Sequence, residues 1–208
     1  MAKEKIIFRC RECGGNSLKW MGQCPECGQW DTLEQITRKS GSVSGSGRSV
    51  PTAQPVPIDS VDHNRLQRRR TSIAEFDRVL GGGIVDGSLV LIGGDPGIGK
   101  STLMLQVVSW LARHGQKCLY VSGEESLSQI ALRAQRLNAH ASTLFIVAET
   151  NVAAIVEMIG KDKYDAVVID SIQTVFHPDI SSTPGSVTQV REASMEFMRL
   201  AKACDTPI

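Results

Sequence analysis

The sequence predicts a mainly parallel α/β domain preceded by a small four-cysteine unit. Beyond about residue 65, apolar runs of strand length alternate with helix-length segments, which is typical of a parallel sheet covered by helices. Ahead of this region, four of the six cysteines lie before residue 28. We expect three parts: a cysteine unit at residues 1–36, a flexible linker rich in serine, glycine and proline at residues 37–64, and an α/β core at residues 65–208.

Composition narrows the possible partners. The 23 basic and 22 acidic residues leave a formal net charge of +1, so no overall field favours nucleic acid or membrane surfaces, and any DNA contact must be local. The first residues lack an apolar run followed by a cleavage site, and no stretch approaches the roughly 20 apolar residues of a membrane span. We therefore expect a cytoplasmic protein without a membrane partner.

The spacing of the clustered cysteines predicts a structural zinc site. Cys10, Cys13, Cys24 and Cys27 form the pattern C-x2-C-x10-C-x2-C, and a glycine follows each pair. Each C-x-x-C turn directs two thiolates at one point, so two turns complete a tetrahedral site with no open position for chemistry. Disulfides or free thiols are the alternative, which a reducing compartment disfavours.

Two tryptophans accompany these cysteines. Trp20 and Trp30 are expected to pack against the very small core of the cysteine unit. Because Trp20 follows Lys19, stacking on a nucleic-acid base is the alternative interpretation.

The most specific signal is a phosphate-binding loop. The apolar run LVLIG, predicted to be a buried strand, precedes a segment that matches G-x-x-x-x-G-K-S, and the helical sequence STLMLQVVSWLARHG follows. Backbone N–H groups in such a loop bind the phosphates of ATP or ADP. The expected nucleotide-binding residues are Gly94, Asp95, Pro96, Gly97, Ile98, Gly99, Lys100, Ser101 and Thr102. Lys100 is expected to contact the β and γ phosphates, and the Ser101 hydroxyl to bind Mg²⁺.

Acidic residues follow two other predicted strands. Asp170 ends the apolar run in YDAVVIDS. At the carboxyl end of a parallel strand, its carboxylate is expected to lie across the crevice from the loop and to hold Mg²⁺ through Ser101 or a water. Glu124 and Glu125 follow CLYVSG and precede a helix capped by Ser126 or Ser128. We expect the pair to activate water, with Glu125 ahead of Glu124; a purely electrostatic role at the helix N-terminus is the alternative. The predicted catalytic residues are Lys100, Glu125, Glu124 and Asp170.

Two further segments carry functional interpretations. The stretch from Gln173 to Thr188 interrupts the alternation with prolines and hydroxyl residues, as functional loops do. Arg65 and the run Arg68 to Arg70 either contact phosphates or form a solvated face. The closing CDTPI predicts a turn followed by the start of a further strand.

These motifs together resemble the amino-terminal half of the bacterial RadA (Sms) family, relatives of RecA. The matching phrases are KWMGQCPECGQW, FDRVLGGGIVDGSLVLIGGDPGIGKSTL, YVSGEES, VVIDSIQT and PGSVTQVRE. The resemblance implies a RecA-like P-loop core, and Glu124 and Glu125 at its catalytic glutamate position. It also implies that residues Pro178 to Arg191 form a loop facing a DNA channel.

The same resemblance implies a DNA-dependent ATPase of recombinational repair. Such proteins act on single-stranded and branched DNA, promote branch migration, form homo-hexameric rings and cooperate with RecA-type recombinase filaments. The family's later motifs do not occur in these 208 residues. Since a neighbouring subunit completes RecA-like sites, we expect this chain to bind nucleotide but hydrolyse it weakly. Alternatives are a nucleotide-switched protein- or DNA-binding module without motor activity and, less favoured, a small-molecule kinase.

Overall fold

The computed structural model describes residues 5–38, 55–60 and 68–208. The chain divides into two compact units, Met1–Leu66 and Gln67–Ile208, called here the cysteine unit and the α/β unit. Most of the predicted linker at residues 37–64 lies outside the described residues, so its flexibility stays a prediction. Within residues 55–60 a single 3-10 turn forms at Ile58–Ser60.

The cysteine unit is a three-stranded antiparallel sheet. Its strands are β1 (Lys5–Cys10), β2 (Asn16–Ser17) and β3 (Leu33–Arg38), in the order β2-β1-β3. The β1–β3 register places Cys10 opposite Leu33. Of the described residues, only Cys10, Cys24 and Leu33 form its buried apolar cluster, which is very small for a folded unit.

The α/β unit begins with a short antiparallel pair, β4 (Arg68–Arg69) with β5 (Ile84–Val85), around α1 (Ala74–Val79). The remaining strands are β6 (Cys118–Ser122), β7 (Leu144–Ala148) and β8 (Ala166–Asp170). The remaining helices are α2 (Lys100–Arg113), α3 (Leu127–Arg136), α4 (Val152–Lys161) and α5 (Val187–Cys204). β6 lies centrally in a parallel sheet of order β7-β6-β8.

Helices cover both faces of this sheet because β6 is apolar on both sides. Cys118 and Tyr120 point into a cluster built with α2 and α3. Leu119 and Val121 point into a second cluster built with α4 and α5. All five residues of β6 are buried, as a central parallel strand requires. The predicted α/β fold with a parallel sheet is confirmed.

The apolar run before the phosphate-binding loop differs from its prediction. LVLIG is not a buried strand, since Leu91 is 75% exposed. Val90 N–H donates to the Ile208 carbonyl and Ile208 N–H donates to the Ser88 carbonyl. Pro207 meanwhile accepts from Val167 N–H of β8. The last two residues are thus the only strand-like neighbour of this run in the described chain, and they cannot cover its length. The predicted turn and strand start at CDTPI agree with this arrangement.

Among the described residues, no helix combines the length and the apolar character needed to cross a bilayer.

Candidate nucleotide site and metal centre

The glycine-rich loop ends at α2 in the order that the sequence predicts. Gly97 and Gly99 have φ values of 80° and 101°, which a residue with a Cβ adopts only under strain. Gly99 occupies the N-cap position of α2, and no side chain caps the helix there. A Cβ at either glycine would meet no atom within 4 Å, so the loop has open space beside both residues. The arrangement fits a polyphosphate, for which the backbone N–H groups of the loop are donors.

Lys100 places its ammonium group against this loop. Nζ donates to the Gly94 carbonyl at 2.7 Å and to the Asp95 carbonyl at 2.9 Å. Lys100 also lines a largely apolar groove together with Asp170 and Ser171. The structure therefore brings the predicted phosphate-contacting cation and the predicted metal-binding carboxylate to one groove. Ser101 lies beside Lys100, in the first turn of α2.

Asp170 ends β8 on the sheet face that α2 covers. Its Oδ2 accepts a short hydrogen bond from the Tyr120 hydroxyl. Burial raises the pKa of Tyr120 well above its usual value, and this bond and the negative charge of Asp170 raise it further. The sequence analysis did not identify Tyr120. The feature that could have indicated it is a hydroxyl-bearing aromatic residue in a predicted buried strand whose other residues are small or aliphatic.

The two predicted catalytic glutamates have different surroundings. Glu124 is exposed, and its Oε1 accepts from the Ser171 hydroxyl at 2.6 Å. Glu125 is partly buried and forms a short ion pair with Arg133 of α3. Only Glu124 therefore contacts the residue directly after Asp170. The sequence analysis placed Glu125 ahead of Glu124 without the pairing to Arg133, which lies eight residues further along the chain.

Ser126 caps α3 after these acids. Its side chain accepts from Gln129 N–H, and the Gln129 side chain accepts from Ser126 N–H in return. Of the two predicted caps, Ser126 is thus the one used, and Ser128 lies within the helix.

A buried glutamine of α5 contacts the segment after β8 at several backbone groups. Gln189, which is 1% exposed, accepts from His177 N–H through Oε1. Its Nε2 lies within 3.4 Å of three carbonyl oxygens, those of His177, Ile180 and Ser182. The predicted functional loop therefore has an ordered anchor on α5. This residue was missed because a glutamine in a helix sequence ordinarily indicates a solvated face.

Two arginines of the basic run, Arg68 and Arg69, contact other parts of the α/β unit. Arg69 donates to the Asp165 carbonyl at 2.6 Å and forms an ion pair with Asp86 at 2.5 Å. Arg68 donates to the Leu80 carbonyl at 2.8 Å. These contacts favour the structural interpretation over phosphate binding for both residues. Arg65 lies outside the described residues.

The four cysteines converge on one point in the cysteine unit. Their Sγ atoms all lie within 4.8 Å of one another, with 3.7 Å between Cys10 and Cys27 and 3.6 Å between Cys13 and Cys24. A tetrahedral site with Zn–S bonds of about 2.3 Å has sulfur separations of about 3.8 Å. The set therefore fits zinc, and the unit carries a four-cysteine zinc site.

Two matching turns build this site. Gly14 N–H donates to the Cys10 carbonyl, and Gly28 N–H donates to the Cys24 carbonyl. The two glycines have φ values of 73° and 70°, so each turn needs the left-handed conformation that glycine adopts freely.

The thiols of the site differ in acidity. Burial raises the pKa of Cys10, but its hydrogen bonds with Thr32 and with backbone N–H groups outweigh this and lower the pKa to about 6. Burial raises the pKa of Cys13 to about 12. Because zinc binds thiolates, binding at neutral pH releases the Cys13 proton.

The prediction that the tryptophans pack on the core is wrong. Trp20 is 59% exposed and Trp30 is 72% exposed. The buried cluster of three small or medium side chains offers too little surface to cover two indoles. Together with Leu18 and Met21, the tryptophans leave the cysteine unit with several exposed apolar side chains.

Comparison with protein families matches each unit separately. A family model described as the KaiC ATPase matches residues 69–145. A second model, described as a rubredoxin metal-binding domain, matches residues 8–35. The two matches cover the phosphate-binding loop, the paired glutamates and all four cysteines.

Curated relatives match the whole chain. The "DNA repair protein RadA" of Bacillus subtilis is 49% identical over 212 residues, which cover 100% of this chain and 46% of that protein. Its namesake in Helicobacter pylori is 46% identical over 210 residues, with 100% and 47% coverage. The Campylobacter jejuni protein of the same name is 47% identical over 205 residues, with 98% and 46% coverage. The chain thus spans about half the length of these relatives.

A solved structure supports the fold. The flagellar accessory protein FlaH of Methanocaldococcus jannaschii aligns with a TM-score of 0.52 at 20% identity, covering 69% of both chains. At this identity the likeness concerns the architecture alone.

Proposed function

Because the chain corresponds along its whole length to the zinc-binding and ATPase part of RadA-family proteins, we propose that it supplies the nucleotide site of a DNA-dependent ATPase of recombinational repair. It binds ATP or ADP with magnesium at residues 94–102. In the longer protein this activity promotes branch migration on single-stranded and branched DNA, within a cytoplasmic homo-hexamer that cooperates with RecA-type recombinase filaments.

One observation carries the nucleotide proposal: Lys100, which directly follows the glycine loop and bonds to it, lines the same groove as Asp170. The loop N–H groups and the Lys100 ammonium bind the phosphates, and Lys100 exchanges its two carbonyl partners for phosphate oxygens. Ser101 and Asp170 hold magnesium, which neutralises charge that develops on the phosphates during transfer. A chain that lacks a neighbouring subunit hydrolyses ATP slowly.

We assign water orientation to Glu124 rather than Glu125, in the reverse of the order predicted from the sequence. Glu125 is already paired with Arg133, which holds its carboxylate on α3. Glu124 is exposed and contacts Ser171, the residue that follows the metal-binding Asp170. A general base must reach a water beside the γ phosphate, and the exposed Glu124 carboxylate, next to the end of β8, supports this role.

Exchange of each glutamate tests this assignment. Glu124→Gln is expected to slow single-turnover ATP hydrolysis by about 10²- to 10⁴-fold, the usual contribution of a general base, with ADP affinity unchanged. Glu125→Gln, the matched variant, is expected to lose less than tenfold. A larger loss in Glu125→Gln would return the role to Glu125.

Removal of the Lys100 ammonium group tests the phosphate site itself. Lys100→Ala is expected to weaken ADP binding by about 10- to 100-fold, since charge-assisted hydrogen bonds contribute about 1.5–3 kcal/mol. Calorimetric titration measures the affinity, and Lys117→Ala is the control, because Lys117 lies at the opposite end of β6 and faces Asp162. Equal ADP affinity in Lys100→Ala and the unchanged chain would refute the site.

A nucleotide-switched binding module is the second candidate. The exposed Trp20 and Trp30 favour it, because they leave the cysteine unit with apolar surface suited to a partner. The rate of ATP hydrolysis with and without single-stranded DNA separates the two functions. Stimulation supports the motor, whereas a flat rate combined with tight ADP binding supports the module.

A further inference from the structure

The proposed nucleotide site leaves one buried polar group without a role. Tyr120 lies in the middle of β6 and is 1% exposed, so its ring needs no hydroxyl in order to pack. The hydroxyl nevertheless bonds to Asp170 Oδ2. We infer that Tyr120 is a positioning residue whose hydroxyl fixes the Asp170 carboxylate toward the magnesium of a bound nucleotide. The inference rests on the proposed function.

The sheet register explains how the two side chains meet. β6 and β8 are parallel, with Tyr120 opposite Val168 and Ser122 opposite Asp170. Asp170 therefore lies two positions further along the neighbouring strand, on the same face of the sheet as Tyr120. A tyrosine side chain is long enough to reach this diagonal neighbour. A shorter side chain at position 120 would end short of the carboxylate.

Packing holds the hydroxyl in place. The ring belongs to the buried cluster that includes Leu105, Val108 and Leu111 of α2 and Ile130 of α3. Interiors of this kind are close-packed, so the ring cannot rotate away without displacing its neighbours. The donor is thus held firmly, whereas Asp170, at the end of β8, is only partly buried.

Fixing one carboxylate oxygen directs the other. A phenol is protonated at neutral pH and donates to an ionised carboxylate in a charge-assisted bond. With Oδ2 engaged, Oδ1 is the oxygen that remains for the metal or for a water bound to it. No other side chain of the described residues is bonded to this carboxylate. Groups that hydrogen-bond to metal-binding residues commonly change metal affinity by about 10- to 100-fold when they are removed.

Without a hydrogen-bond partner, the buried Tyr120 hydroxyl would destabilise the fold. A phenylalanine fills the same volume without burying a polar atom, and an unpaired buried hydroxyl is unfavourable. The single bond to Asp170 satisfies the hydroxyl at the point where metal chemistry is proposed. A role at Asp170 explains why the strand carries tyrosine there.

The effect of magnesium on ADP affinity, called here the magnesium coupling, tests the inference. ADP affinity is measured by calorimetry in excess magnesium and in EDTA, and the ratio of the two dissociation constants gives the coupling. Tyr120→Phe is expected to reduce this ratio by about tenfold. Affinity in EDTA and the melting temperature should stay unchanged, and a higher magnesium concentration should restore tight binding.

The chain offers a matched control and a reference. Its only other tyrosine is Tyr164, a buried residue whose hydroxyl lies 3.5 Å from Asp162 Oδ2 at the far edge of the sheet. Tyr164→Phe should leave the coupling unchanged. Asp170→Asn should reduce the coupling at least as much as Tyr120→Phe does.

The outcomes separate this inference from the proposed function. Coupling that is lost in Asp170→Asn and preserved in Tyr120→Phe overturns the role of Tyr120 alone. A chain that binds no ADP, or whose coupling survives Asp170→Asn, overturns the proposed site and the inference with it. Equal weakening in EDTA and in magnesium shows a packing role and also overturns the inference.

A second measurement covers the case in which Tyr120→Phe does not fold. 3-Fluorotyrosine incorporated into Tyr164→Phe labels Tyr120 alone, because the chain has two tyrosines. The fluorine resonance is expected to shift when magnesium is added to the ADP complex, and this response should disappear in Asp170→Asn. A resonance that ignores magnesium while Asp170 is intact contradicts the inference.

Discussion

Among the residues that the structure describes, the buried cluster of the cysteine unit consists of Cys10, Cys24 and Leu33, whereas the α/β unit buries two clusters on opposite faces of a parallel sheet. The smaller unit cannot offset its conformational entropy with so little apolar area, so the bonds between zinc and sulfur must do so. In the larger unit apolar packing is sufficient. The difference teaches that one chain can contain two units whose stability depends on unrelated chemistry.

The sharpest test of this difference removes the metal. A strong chelator, or Cys24→Ala, is expected to unfold the cysteine unit completely, because structural zinc contributes about 10–16 kcal/mol to such units. The thermal transition of the α/β unit should change little. Amide exchange resolves the two units, and loss of protection in β1 and β3 with retention in β6 is the expected result.

The control is Cys204→Ala, a partly buried cysteine of α5 that is not a zinc ligand. It should retain the metal. Simultaneous unfolding of both units after chelation would contradict the separation.

The reverse test weakens the apolar packing. Phe197 of α5 is 1% exposed in the cluster that α4 and α5 form with β6. Phe197→Ala is expected to lower the free energy of unfolding of the α/β unit by about 3–5 kcal/mol, because it leaves a cavity. Zinc content should stay the same. Denaturant titration gives the stability, with Met198→Ala, at a 39% exposed neighbour, as the variant of small effect. Loss of zinc in Phe197→Ala would show that the units depend on each other.

The smallest effect is expected at the exposed indole of the cysteine unit. Trp30→Ala should change stability by no more than about 0.5 kcal/mol, since the side chain is 72% exposed. Zinc competition with a chromophoric chelator measures the effect. Leu33→Ala, at a buried neighbour of Cys10, should weaken zinc retention clearly. A similar loss in both variants would restore the predicted packing role of the tryptophan.

Local patterns predicted the parts that depend on local geometry. The two C-x-x-C turns need glycine at fixed positions, and both glycines have the conformation that this requires. The strands of the sheet and the helices α2, α4 and α5 follow from apolar periodicity. The prediction failed for LVLIG and for the tryptophans. In both cases the outcome depends on how much neighbouring surface is available, which the residues themselves do not encode.

The site was predictable only in part for a related reason. Lys100 and Asp170 belong to motifs in which spacing determines position. The contacts that distinguish Glu124 from Glu125, and that bring Tyr120 to Asp170, join residues as much as 50 positions apart. Such contacts follow from strand order and register, so they emerge only when the fold is known.

Gln189 connects the segment between β8 and α5 to the helix through several backbone groups. One amide contacts the backbone of His177, Ile180 and Ser182 at once. A second contact with α5, between His177 Nε2 and Glu196 Oε2 at 3.2 Å, joins the same segment to the helix. A displacement of α5 would therefore change the position of the segment. The conformation of the predicted functional loop is thus coupled to the position of α5.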